Sequence, residues 1–187
     1  MYIMRYIFGL LVVLGLLILL IVLLVGGGGK PKVPATSKTL DSYATTNAET
    51  RLTIDGSVNA QSIHNQIRIT VDRNNVTYEQ VQGYNGNVIK MQRFDNTENA
   101  YANFLSALTH AGFTKGNADK ALADERGYCS TGDRYIFELS QNDKNIERFW
   151  ATNCGNPKTY GGNANLTVEL FKAQVPGYSD LTQSIVL

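Results

Sequence analysis

Apolar residues follow three spacings along this chain, and each predicts a different kind of element. The first spacing is unbroken. Residues 6–25 read YIFGLLVVLGLLILLIVLLV, without a charge, Asn, Gln, Ser, Thr or Pro. At about 1.5 Å rise per residue, such a run makes a helix about 30 Å long, the thickness of a bilayer's hydrocarbon core. It is apolar all round, whereas helices of soluble cores are shorter and two-faced. A cleaved secretory signal has an apolar region of about seven to fifteen residues and ends in an Ala-x-Ala-like site. Here the run is longer and passes directly into four glycines. The pattern therefore predicts an uncleaved signal-anchor, a single-pass transmembrane helix over 6–25 behind a five-residue tail. Gly9 and Gly15 are too far apart for a small-xxx-small dimer seam.

Residues 26–38, GGGGKPKVPATSK, form a linker that is flexible at first and stiffened later by two prolines. They lack the strand–GxxxxGK[ST]–helix context of a phosphate loop. A coil of this length reaches on the order of 20 Å, which keeps the rest of the chain close to the membrane surface.

The second spacing alternates with a period of two. It predicts strands over 51–55 (Leu52 and Ile54 on one face), 67–71 (Ile67, Ile69, Val71), 76–81 and 88–94. Asp72-Arg73-Asn74-Asn75 and Tyr84-Asn85-Gly86-Asn87 mark the turns, so this half reads as an antiparallel meander. A further hairpin is predicted from 134–140, with Tyr135, Phe137 and Leu139 on one face, and 146–152. If Gln141 pairs with Asn145 around a three-residue loop, Ile136 faces Trp150, Phe137 faces Phe149 and Glu138 faces Arg148.

The third spacing is helical. Tyr101, Phe104, Leu105 and Leu108 form one apolar stripe, with Asp95 and Glu98 in capping-box positions. Gly112 is the expected left-handed stop, and Phe113 folds back on the last turn. A second helix is predicted over 165–174, capped by Asn163 or Asn165, with Leu166, Leu170 and Ala173 inward. The tail 178–187 ends in Ile185-Val186-Leu187, apolar enough to dock on the domain. The expected fold class is α+β: a transmembrane helix, then one antiparallel-sheet domain over 39–187 with two amphipathic helices, in the order β-β-β-β-α-β-β-α.

Composition adds limits. With 17 Lys+Arg against 16 Asp+Glu, the net charge is +1, and no basic block gives nucleic acid a footprint. Ten Tyr and abundant Asn and Thr suit a β-rich, extracytoplasmic domain. Two cues conflict over which side the domain faces. Arg5 lies before the apolar run and Lys30, Lys32 and Lys38 after it, which by charge counting favours a cytoplasmic domain. Long domains translocate largely regardless of such charges, however. In the predicted hairpin register, Cys129 and Cys154 both fall just beyond its open end. They are either a disulfide, which persists only in an oxidising compartment, or two free buried thiols. The expectation is a cell-membrane protein with its C-terminal domain outside.

Candidate chemistry is sparse. GxSxG, HExxH, P-loop and GxGxxG patterns are all missing from the sequence. His64 and His110 have no acidic or thiol partner at ligand spacing, so the sequence assigns no catalytic, cofactor or metal residue. Asp124 and Glu125, with Asp133 near the hairpin mouth, are the one set of carboxylates that could share acid–base work; a solvated loop explains them as well. Gly161-Gly162 before a helix start could hold an anion on free amides with help from Lys158, or could be a plain turn. Tyr84 and Tyr160, both in Gly/Asn turns, are candidate surface contacts for a partner. Asn75-Val76-Thr77 and Asn165-Leu166-Thr167 match the glycosylation triplet.

The segments CSTGDRYIFEL (129–139), RFWATNCG (148–155) and LFKAQVPGY (170–178) resemble small membrane-anchored proteins of unknown function from reduced-genome, candidate-phylum bacteria. The resemblance covers the last third of the chain and the position of the anchor. It implies a bacterial envelope protein, makes the Asn triplets irrelevant and favours pairing of the two cysteines; it transfers no catalytic residue. The function expected is a membrane-anchored, extracytoplasmic binding or assembly module, held in the bilayer through 6–25 and contacting an envelope protein or glycan. The alternatives are a tethered hydrolase without recognisable motif and an accessory subunit of a membrane complex.

Overall fold

The computed structural model of the protein describes residues 39–187 and, before them, Leu16 alone. The expected tail, anchor and linker over 1–38 lie outside the described residues. Among the described residues, no helix is long and apolar enough to cross a membrane. One compact unit runs from Lys38 to Leu187.

Six strands form one sheet: β1 (Ala48–Asp55), β2 (Asn65–Val71), β3 (Asn75–Gln82), β4 (Asn87–Asp95), β5 (Arg134–Gln141) and β6 (Lys144–Thr152). The order across the sheet is β4-β3-β2-β1-β5-β6, and every neighbouring pair is antiparallel. The meander and the hairpin are both as the alternation predicts. They meet where β5 lies along the free side of β1, pairing Leu52 with Phe137 and Asp55 with Arg134.

One face of the sheet carries the core. Leu52, Ile54, Ile67, Ile69, Val71, Phe137 and Leu139 are all almost fully buried there. Against them pack helix α1 (Glu98–Ala111), through Tyr101, Phe104, Leu105 and Leu108, and helix α2 (Ala164–Lys172), through Val168 and Phe171. Each such side chain contributes about 1.5–3 kcal/mol on leaving water. Phe171 meets Phe104 edge-on at 5.1 Å, which locks the two helices together.

The α1 stripe is the predicted one, but its cap is not Asp95. Asp95 still belongs to β4, paired with Asn75, so the chain turns into the helix two residues later. Thr97 is the cap, and its hydroxyl accepts from the Ala100 amide at 3.2 Å. The other end is as expected. Gly112 sits at φ 80°, and the Phe113 amide donates to the Leu108 carbonyl at 3.0 Å.

The hairpin register holds where it matters, with Ile136 opposite Trp150, Phe137 opposite Phe149 and Glu138 opposite Arg148. Its tip differs. Gln141 pairs with Lys144 around a two-residue turn, and a bulge between Leu139 and Ser140 restores the predicted pairing. Asn142 and Asp143 make this turn at φ 50° and 61°. Asn and Asp reach the left-handed region more readily than other non-glycine residues.

On α2 the expected cap Asn163 is right; its side chain accepts from the Leu166 amide at 3.1 Å. The expected inward face is corrected. Leu166 and Ala173 are exposed, Leu170 is half-buried, and Thr167, Val168 and Phe171 point inward. Starting the helix at Ala164 aligns 164, 167, 168 and 171 on the core side, and Val175 just beyond the helix completes the stripe. After a short helix α3 (Tyr178–Thr182), the tail docks: Ile185 and Leu187 pack on the core, and the Asn65 side chain donates to the Val186 carbonyl at 2.9 Å.

Candidate functional site

The helices leave the second face of the sheet uncovered over β1, β2 and β3, and side chains of opposite charge alternate across it. Arg51 donates to Glu49 at 2.8 Å and to the Thr70 hydroxyl at 3.1 Å, and Ser140 donates to the same Glu49 at 3.2 Å. Arg68 reaches Glu79 at 3.1 Å across β2 and β3. Arg148 donates to Glu125 at 2.6 Å and lies 3.6 Å from Glu138, so the predicted Glu138–Arg148 pair forms and gains a third member from a loop. These pairs are at least partly solvated, and each adds little to stability. What they do is fix long side chains in place.

Two shallow depressions run along this face. One, of about 240 Å³, is lined by Glu49, Arg51, Glu138, Ser140, Asp143 and Asn145. The other, of about 150 Å³, continues past Glu138 to Arg148, Glu125, Thr53, Gln66 and Asp55. The two share Glu138 and make a polar groove along β1 and β5. A third hollow, of about 290 Å³, lies between the 117–123 loop and Trp150, whose indole N–H donates to the Leu122 carbonyl at 2.7 Å.

Beneath one end of the groove lies a cluster that the sequence concealed. Arg134 donates from Nε to Asp55 Oδ2 at 2.8 Å and from Nη2 to the Gly56 carbonyl at 2.6 Å. His64 Nε2 meets Asp55 Oδ1 at 2.8 Å, while Nδ1 meets the Ser57 carbonyl at 3.0 Å. His64 is 0 % exposed, Arg134 2 % and Asp55 8 %. Both ring nitrogens of His64 thus have oxygen partners, and the Gln66 side-chain nitrogen lies 3.4 Å from Nε2. His64 does therefore have an acidic partner, Asp55, nine residues upstream. Tyr84 stacks flat on the imidazole at 4.1 Å, and its hydroxyl donates to the Asn59 carbonyl at 2.8 Å. The ring is sealed from solvent, so this arrangement ties β1, β5 and the 56–64 loop together and offers no base to a substrate.

The other expected residues separate. Asp124 is chelated by Arg126, whose Nε and Nη2 hold its carboxyl down at about 2. Glu125 turns to Arg148. Asp133 is half-buried, and loss of solvent raises its pKa above the ordinary carboxylate value although Arg134 and Lys172 oppose this. These three carboxylates face three different partners, and no shared proton site results. Cys129 and Cys154 form a disulfide across the hairpin mouth, with Cα atoms 5.7 Å apart. It closes a separation of 25 residues, worth about 3 kcal/mol in the chain-entropy model.

One of the expected contact residues needs correction. Tyr160 is 1 % exposed and cannot meet a partner. The chain after Cys154 folds back along β6, where the Thr159 and Tyr160 amides donate to the Trp150 carbonyl at 3.0 and 2.9 Å. This turns the Tyr160 ring onto Phe137 at 4.3 Å, with its hydroxyl 2.7 Å from Thr167. Lys158 is exposed, and of the amides at the following turn Gly161 donates to Lys115 and Asn163 to Ala111, each at 2.8 Å. Tyr84 remains partly exposed, at 47 %. Among the described residues, no group of three or more His, Cys, Asp or Glu could hold a metal ion.

The chain matches no protein-family model and no curated protein.

Proposed function

We propose that this chain is a membrane-tethered, extracytoplasmic module that binds a protein or glycan of a bacterial cell envelope through the open face of its sheet. The observation that carries the reading is one-sided packing. Helices cover one face, and the other holds a polar groove along β1 and β5 whose Arg and Glu side chains are fixed against one another. Such a shallow surface presents oriented donors and acceptors, with Glu125 and Glu138 held by Arg148, which suits recognition better than turnover. The uncharged run over 6–25 supplies the tether, and the Cys129–Cys154 bond supports an oxidising location.

Site-specific photo-crosslinking in native membranes tests this reading. A photo-reactive residue at Thr53, on the groove floor, is expected to capture a discrete envelope partner, whereas one at exposed Leu166 on the helical side captures none. Equal capture from both positions, or none from the groove, contradicts the proposal.

A further inference from the structure

Of the asparagines in this chain, Asn85 alone is followed by glycine. The pair lies in the turn between β3 and β4, where Tyr84, Asn85, Gly86 and Asn87 are all exposed. The first half of this turn is anchored. Gly83 donates to the His64 carbonyl at 2.8 Å, the Tyr84 amide donates to Gln61 Oε1 at 3.3 Å, and the Tyr84 ring lies on the imidazole. The second half is free. Among the described residues, neither the Asn85 side chain nor the Gly86 N–H makes a hydrogen bond. Gly86 stands at φ 72°, and a Cβ placed on it would meet nothing within 4 Å. Asparagines elsewhere are tied down: Asn96 donates its amide to the Asp72 carbonyl at 2.6 Å, and the Asn163 oxygen caps α2.

We propose that Asn85-Gly86 is a site of spontaneous modification, where Asn85 converts to aspartate and isoaspartate with no enzyme. The Gly86 nitrogen gives up its proton and attacks the Asn85 side-chain carbonyl carbon. A bond forms from that nitrogen to Cγ, the bond from Cγ to Nδ2 breaks, and Nδ2 takes up a proton and leaves as ammonia. A cyclic imide remains. Water then adds to one of its two carbonyls. Opening at Cγ leaves aspartate; opening at the main-chain carbonyl leaves isoaspartate, with the chain running on through the former side chain. Glycine matters because the attacking nitrogen must swing toward Cγ, and a side chain on the following residue obstructs that movement. Asn142 is the comparison within the same molecule, equally exposed in a hairpin turn but followed by Asp143. Either product puts a negative charge beside Tyr84, which is itself 47 % exposed. Isoaspartate also lengthens the main chain by one carbon, in the half of the turn that nothing holds. The reaction needs only water and this turn, so it is independent of the tether and the groove.

The test incubates the purified full chain in detergent micelles, with its disulfide intact, at neutral and at mildly alkaline pH. Digestion in acid, where the imide does not form, is followed by tandem mass spectrometry. The peptide carrying residue 85 is expected to exchange its amide for an acid and to appear as two species, one aspartyl and one isoaspartyl. Loss of the amide should run faster at Asn85 than at Asn142, and faster at the higher pH, because the attacking nitrogen must be deprotonated. Asn85→Gln needs a larger ring and is expected to keep its amide over the same interval; its exposed position spares the fold. Aspartate without isoaspartate, loss at Asn142 as fast as at Asn85, equal loss from Asn85→Gln, or conversion only after unfolding in urea overturns the proposal.

Discussion

Asp55 shows how much one side chain can hold. A single carboxylate at the end of β1 accepts from Arg134 on one oxygen and meets His64 on the other, with all three groups almost out of water. Removing it strands a buried guanidinium. Asp55→Ala is therefore expected to cost about 3–5 kcal/mol of unfolding free energy, measured by urea titration, whereas a loss under 1 kcal/mol would mean that water reaches Arg134. Asp133, next in the chain to Arg134, gives a test with a sign. Burial raises its folded-state pKa above that of the unfolded chain, so the native state keeps this proton to higher pH. Its contribution to stability is full below the unfolded pKa and is lost as pH rises through the folded one. Asp133→Asn is accordingly expected to gain stability over the native chain at pH 7, with the gain vanishing at and below the ordinary carboxylate value. A gain that grows toward acid would contradict this assignment. The Asp55–Arg134 pair could not be picked from the sequence. Arg134 lies 79 residues beyond Asp55, and only the β1–β5 register brings them together.

At the scale of elements, local chemistry was legible and its placement was not. The α1 stripe, its Gly112 stop and the β5–β6 cross-strand pairs follow from spacing alone, because neighbours along the chain determine them. The start of α1 does not, since Asp95 and Thr97 are both good caps and pairing with Asn75 keeps Asp95 in the strand. Thr97→Ala is expected to cost about 1 kcal/mol by thermal or urea unfolding, and Asp95→Ala much less; the reverse order would return the cap to Asp95. The inward face of α2 was misread for a related reason. Leucines at 166 and 170 look like a core stripe, but contact with Phe104 and the Tyr160–Thr167 bond rotate Phe171 and Thr167 inward instead. Tyr160 itself, in a glycine-rich turn, gives no local sign that its backbone caps the β6 edge.

For the whole molecule, one consequence of the packing matters most. Two helices, helped by Leu40, Tyr43 and Ala44 ahead of β1 and by the docked tail, bury one face of the sheet, and the second face is left as a polar surface with an open β4 edge. The disulfide pins the mouth of the β5–β6 hairpin, next to the loop that supplies Glu125 to the groove. In the proposed arrangement, a short linker holds this surface close to the bilayer and on its outer side. Thiol accessibility in intact cells, read on protein retained in carbonate-washed membranes, tests that arrangement most directly. The account predicts that Cys129 and Cys154 stay unlabelled by a membrane-impermeant maleimide until a reductant is added, and then react without permeabilisation. Thiols that react only after permeabilisation, with no reductant needed, would contradict it.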